Sequence, residues 1–412
     1  MLTVVSGKER GRVEGSRVRL RRGRGHRLDG LVAGEPDTRD RLVDASRAFS
    51  ILVVLVWHWV LSVTSRSDDG VLVMPNPIDA VPGAVTLTWL LQVMPVFFLV
   101  AGYSGYASWR SAQRRGEPAA AYVRRRLRKV LLPAVVWAAI WLFAELAAAA
   151  RPGRHRWVWE WFPGYLAPLW FLGTYAALVA ATPITGRVQQ RYGGWAAVLL
   201  AGLVALAGLT GPGPAGAAAV WLTAALVWLL IWQLGHVWRD WRSRGLGPEH
   251  GWALAGAGLL ALVLLMGPGG YPRSMVATTT GEGSNMFPTT PAIAALAVLQ
   301  LGLLLLLAPG ADRLLANPRA WRPVVAINAA AVTIFVWHMT AYLVVLWVYE
   351  GLGGSLLAAP DASWWGQRLL WLLAPAAVLT SVVAIFGRVE RAVRQGEHIR
   401  PAARASTRAA RR

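Results

Sequence analysis

The chain has 412 residues, is 55% hydrophobic, and carries 23 Trp, no Cys and a formal net charge of +21. Without cysteine there is no disulfide framework, no thiol nucleophile and no thiolate metal site, and no metal centre is expected. The positive charge lies in the tails and in short segments between apolar runs, as it does around membrane spans, so no nucleic-acid partner is expected.

In chain order, residues 1–38 are Gly- and Arg-rich and read as a disordered basic cytoplasmic tail. No apolar core follows their charge until residue 48, so they do not read as a signal peptide. Apolar runs then recur to residue 387, among them "AVLLAGLVALAGL" and "AIAALAVLQLGLLLLLA". Runs of roughly 18 or more such residues are membrane-helix candidates. Residues 39–387 are therefore expected to form one all-α polytopic membrane domain of about ten helices. The expected spans are 48–65, 85–108, 130–150, 166–182, 194–210, 216–238, 251–267, 291–309, 324–349 and 366–387. Residues 388–412 form a second basic tail.

Charge sets the expected orientation. With the N-terminus in the cytoplasm, only Arg66, Arg151, Arg154, Arg156, Arg273 and Arg368 fall outside; the other 36 of the 42 Lys and Arg fall inside. That bias puts both termini in the cytoplasm and calls for an even number of spans in the cell's inner or plasma membrane. Membrane lipid is thus an expected partner.

The first span, in "DASRAFSILVVLVWHW", carries ionisable groups. From Arg47 to His58 is 11 positions, about 1100° of helical rotation, or three turns plus roughly 20°. Arg47 and His58 therefore share a face, with Asp44 on nearly the same stripe. His58 lies about 16 Å beyond Arg47, near the expected bilayer midplane. Ionisable groups at such depth usually face the protein interior or a water-filled cavity. A single buried histidine that only hydrogen-bonds a neighbouring helix is the plainer reading; the shared stripe favours a site.

The second span, "QVMPVFFLVAGYSGYASW", holds Pro95, which can kink a helix and free a carbonyl. It also holds Gly102 and Gly105, which permit close approach. The following segment, residues 110–129, has eight cations. Arg124 and Arg128 are four apart, and Arg125 and Arg128 three, so one helical turn displays them together. Positive-inside bias and anionic lipid account for part of this charge. Arginine also grips phosphate through a bidentate fork, which makes the cluster a candidate polyphosphate site. Glu145, Gln92, Asn328 and Gln300 are further polar groups in spans with no assigned chemistry.

Taken together, these residues resemble the membrane-bound acyltransferase 3 family of bacterial multi-spanning O-acyltransferases. "RLVDASRAFSILVVLVWH" is similar to the opening helix, with arginine, ten residues and histidine. "MPVFFLVAGYSGYASW" resembles the second-helix motif, although Ala101 stands where a serine usually precedes the glycine and Ser104 follows later. "YVRRRLRKVLLP" resembles the Arg-x-x-Arg segment through Arg125 and Arg128. "PLWFLGTYAALVA" resembles a further block, with Trp170 and Phe171 at its core. "NAAAVTIFVWHMTAYLVVL" resembles the late helix that bears a second histidine, here His338.

The resemblance implies transfer of an acyl group, usually acetyl, from acyl-CoA to a hydroxyl. The expected donor is acetyl-CoA, a substrate rather than a resident cofactor. The acceptor is expected to be a carbohydrate or a related cell-surface or secondary-metabolite compound. His58 is the expected general base, because its free pKa lies nearest neutrality, with Arg47 and Asp44 on its stripe. Arg124, Arg125 and Arg128 are expected to hold the phosphates of coenzyme A, and Trp170 and Phe171 to border the substrate. His338 is open between second base, orienter of His58 and structural residue. Direct transfer and an acyl-enzyme are both open. The competing class is a transporter or flippase, since proton relays also use intramembrane His and Arg; the cytoplasmic arginine cluster and the lack of an inverted repeat argue against it.

Overall fold

The structure is a computed structural model and describes residues 40–153, 155–210, 216–245, 248–278, 283–357 and 359–387. The tails expected at 1–38 and 388–412 lie outside the described residues. Among the described residues, nine helices are long and apolar enough to cross a membrane. The chain is an all-α polytopic membrane protein. Large apolar side chains such as Leu142, Phe143, Leu199, Leu206 and Leu264 stand exposed, as they do on surfaces that face lipid tails.

Helix α1 runs Arg41–Val60. The second span holds a short helix α2, Thr88–Leu91, and the long α3, Met94–Arg114. Next come α4, Ala119–Ala149, and α5, Ala167–Tyr192. The segment expected as the fifth span forms α6, Trp195–Thr210, a shorter apolar helix of 16 residues. Then follow α7, Gly216–Ser243, α8, Pro248–Met266, and α9, Pro291–Leu315. The chain continues with α10, Pro318–Ala329, and α11, Ala331–Gly351. The last span, α12, is Ala362–Gly387.

Three expectations about the spans are corrected. The first helix begins earlier and ends earlier than 48–65. Asp40 caps it, its side chain accepting from Val43 N at 3.4 Å, and Asp44 sits in its first turn, where a carboxylate is favoured. His58 therefore lies in the last turn of its helix, not at its middle.

The ninth span is two helices. In α10, Trp321, Val325 and Asn328 are buried at helical spacing while Arg319 and Arg322 are exposed. That amphipathic pattern covers a protein surface, and the lipid-length run starts only at α11.

The second span breaks at Gln92–Val93, ahead of Pro95 rather than at it. Pro95 has no N–H for the carbonyl four residues back, so it fits the first turn of α3 and ends the preceding helix. A break at membrane depth leaves carbonyls that need donors. Gln300 Nε2 on α9 supplies them, reaching Trp89 O at 3.1 Å and Gln92 O at 2.9 Å.

Helices α3 and α7 cross at glycine. A Cβ on Gly102 would overlap the Trp232 backbone, and one on Gly235 the Leu99 backbone. Phe98, Leu99, Ile231 and Trp232 are fully buried around this crossing. Phe171 and Phe335 of the same core border the site described next.

Candidate active site

At the Arg41 end of α1, Asp44 and Arg47 of the expected stripe meet. Arg47 Nη1 donates to Asp44 Oδ1 at 3.0 Å, and Nη2 donates to Ser104 Oγ at 2.7 Å. Asn328 Nδ2 donates to the Asp44 backbone carbonyl at 2.8 Å. Arg47 is thus held between α1 and α3, and Asp44 is buried against α10. One turn lower, Asp40 Oδ2 accepts from Tyr103 OH at 2.9 Å and from Arg242 Nε at 3.1 Å. Arg242 reaches Asp312 as well, at 3.2 Å, which ties α1, α3, α7 and α9 together.

At the other end of α1, Arg368 Nη1 donates to Val60 O at 3.2 Å and Ser62 O at 3.4 Å. A cation is favourable at a helix C-terminus, and it fixes the turn that carries His58. His58 Nδ1 lies 3.1 Å from His338 Nε2. The two rings stack with centroids 5.1 Å apart and planes at 26°. His338 Nδ1 in turn lies 2.6 Å from Phe335 O, and Trp59 Nε1 donates to His338 O at 3.1 Å. His338 is 0% exposed, whereas His58 keeps open surface.

That surface faces a cavity of about 270 Å³. Both histidines line it, with Gln92 from the break before α3, Trp170 and Phe171 from α5, and Asn76 and Val276 from the connecting segments. Phe171 is buried, 4.5 Å from the Phe335 ring; Trp170 is 39% exposed. The arrangement offers one open histidine edge in a largely apolar chamber.

The predicted arginine cluster divides. Arg124 and Arg128 are exposed on α4. Arg125 turns to Glu117, its Nε donating to Oε1 at 2.9 Å and its Nη2 to Oε2 at 3.0 Å. These bonds hold the Glu117 carboxyl below the usual carboxylate range, with help from Arg115. The structure thus brings together His58 with His338 and Arg47 with Asp44, and sets Trp170 and Phe171 in the wall of the histidine cavity. It does not present the three arginines on one open face.

Sequence reasoning did not assign Ser104, Glu117 or the Phe335 carbonyl. Ser104 carries a signal, a hydroxyl displaced from the family's usual position. Glu145 also gains a role: it accepts from Val158 N at 2.9 Å and lies 3.0 Å from His155 Nε2, anchoring the Trp-rich segment after α4. Among the described residues no His, Cys, Asp and Glu group suited to a metal ion is present.

The fold is that of a multi-pass membrane protein. Residues 41–388 match the family model described as an acyltransferase domain, acyltransferase 3. The chain belongs to that family and is an O-acyltransferase. No curated protein and no solved structure matches it. Of the readings open to the sequence, the family supports the transferase.

Proposed function

We propose that the enzyme takes an acyl group, acetyl in the simplest case, from acetyl-CoA on the cytoplasmic side and passes it to a carbohydrate or related hydroxyl acceptor, with His58 as general base. The observation that carries this reading is the hydrogen-bond chain behind His58. A backbone carbonyl only accepts, so the hydrogen shared with Phe335 O sits on His338 Nδ1. Neutral His338 then offers Nε2 as an acceptor, and the hydrogen of the 3.1 Å contact belongs to His58 Nδ1. Neutral His58 is left with its lone pair on Nε2, the tautomer that a base needs. His338 acts as a positioning residue, the second of the three roles the sequence allows it.

The reaction is a direct displacement. The acceptor hydroxyl gives its proton to His58 Nε2 as its oxygen attacks the thioester carbon. The C–O bond forms, the C–S bond breaks, and the departing sulfur of coenzyme A takes the proton back. Arg124 and Arg128 suit the donor's phosphates, and Arg47 stands about 16 Å below His58 along α1, on the path of the donor's arm. Trp57 and Trp170 give the cavity flat apolar faces of the kind that bind a sugar ring. The charge bias of the loops supports donor access from the cytoplasm and acceptor access from the opposite side of the inner or plasma membrane.

The test has two arms. Purified protein is given radiolabelled acetyl-CoA with a surface-glycan extract, and glycans and small metabolites are compared by mass spectrometry with and without the gene. An acetylated carbohydrate that vanishes with the gene is expected. Unchanged acetylation, together with no consumption of acetyl-CoA, overturns the reading.

A further inference from the structure

Of the polar side chains that line the cavity beside His58, Asn76 and His338 are already engaged. Asn76 donates to Leu61 O at 2.8 Å and accepts from Ile78 N at 2.9 Å. His338 is engaged at both nitrogens. Among the described residues that line the cavity there is no Lys or Arg. Gln92 differs. Its Oε1 accepts from Met94 N at 3.2 Å, and its backbone carbonyl accepts from Gln300 Nε2 at 2.9 Å. A backbone N–H can only donate, so the amide atom that faces it is the oxygen, and the orientation of the amide follows. Gln92 Nε2 keeps both hydrogens without a described protein acceptor. The residue is 7% exposed, and its open surface lines the histidine cavity.

Acyl transfer needs two things at one carbon: a base for the attacking hydroxyl and a donor for the carbonyl oxygen as it gains charge. His58 Nε2 offers the first. We propose that Gln92 Nε2 is the second, a catalytic donor to the thioester carbonyl oxygen. This inference rests on the acyl-transfer reading above. As the acceptor oxygen attacks and its proton moves to His58 Nε2, the carbonyl electron pair moves onto oxygen, where Gln92 N–H meets it. The pair returns as the C–S bond breaks, and the coenzyme A thiolate takes the proton from His58. A neutral donor fixed in a largely apolar chamber is worth more than it is in water. Gln92 is fixed because span two breaks at this residue: the Met94 N–H and Gln300 hold its two oxygens, so the amide need not reorganise during the reaction. Two residues on, α3 begins, and the positive end of its dipole points the same way in charge.

The test uses full-length protein purified in detergent, radiolabelled acetyl-CoA and a glycan extract from cells that lack the gene. Gln92→Met keeps the side-chain length and removes the donor. Gln92→Glu, assayed on the alkaline side of neutrality, keeps an oxygen for Met94 N and replaces the donor with a charge. Both are expected to lower kcat by about 10²- to 10³-fold, with KM for acetyl-CoA close to the parent's; Gln92→Met also lowers the thermal midpoint, because it leaves the Met94 N–H without its acceptor. If either variant folds and keeps the parental kcat, Gln92 only secures the helix break and the proposal fails, while acyl transfer by the parent still stands. If the parent transfers no label, the acyl-transfer reading falls and takes this inference with it.

Discussion

His338 Nε2 stands 3.1 Å from His58 Nδ1, while its own Nδ1 faces the Phe335 carbonyl at 2.6 Å. One ring thereby decides which nitrogen of the other holds the hydrogen. His58→Ala removes the proposed base and is expected to lower turnover by about 10²- to 10⁴-fold. Folding should persist, because alanine suits a helix end next to a cavity. His338→Phe leaves the His58 N–H without its acceptor and should also lower turnover. The discriminating measurement is the pH–rate profile. A histidine base works only unprotonated, so the rate falls as pH drops, and His338→Phe should move that acid limb. A limb that stays in place, with turnover lost only as far as stability is lost, would make His338 a packing residue.

The arginine cluster gives a graded expectation. Arg128 is exposed and Arg125 is clamped by Glu117. Arg128→Ala should raise KM for acetyl-CoA by about tenfold, the scale of one charge-assisted hydrogen bond. Arg125→Ala should raise it less. If Arg125→Ala weakens the donor more than Arg128→Ala does, the clamp opens during binding and Arg125 is the main phosphate ligand.

The clamp has its own pH dependence. Glu117 is depressed first by the hydrogen bonds from Arg125. A carboxylate depressed in the fold contributes stability above its unfolded pKa, and that contribution is lost as pH falls through the lower folded value. The contribution is modest because the pair is partly exposed. The thermal midpoint of Glu117→Gln should therefore lie slightly below the parent's at neutral pH and converge with it in acid. A gap that widens in acid would contradict the assignment.

Much of this was legible in the sequence, for physical reasons. Apolar runs of span length have few alternatives to membrane helices, and the three-residue spacing of Asp44 and Arg47 on one helix put them within reach of each other. Contacts between distant segments were not legible. Nothing local links His58 to His338, or Arg47 to Ser104. Gln92 and Gln300 were recognisable as polar groups in spans, yet their roles depend on a helix break that Pro95 shifts one turn earlier than a simple kink would. Glu117 is a single acid in a basic segment, and its grip on Arg125 needs the turn between α3 and α4. The amphipathic face of α10 was readable from Trp321, Val325 and Asn328, but the apolar run of α11 extended over it and hid the boundary.

The topology can be checked directly. The cavity is lined by Met74, Pro75 and Asn76 and by Val276 and Ala277, in the two connecting segments that the charge bias puts outside. A cysteine introduced at Gly270 into this cysteine-free chain should react with a membrane-impermeant thiol reagent in intact cells, and a reporter fused after Arg412 should be cytoplasmic. The reverse pattern would put the histidine cavity on the donor side and remove the case for transfer across the membrane.

The last expectation concerns what holds the site in place. Gln92 precedes α3, Ser104 lies on it, and α3 meets α7 where Gly102 passes the Trp232 backbone. A Cβ there would overlap main-chain atoms, which cannot turn aside as a flexible side chain can. Overpacking of this kind costs about 1–3 kcal/mol or more, so Gly102→Ala should lower the thermal midpoint and reduce turnover together, by displacing α3. Gly202 on α6 is the control, since a Cβ there meets nothing. Gly202→Ala should leave stability and activity near the parent's. Equal midpoints for the two variants would mean that α3 and α7 are further apart than their glycines require, and that the site owes its geometry to the Asp40 and Arg242 ties instead.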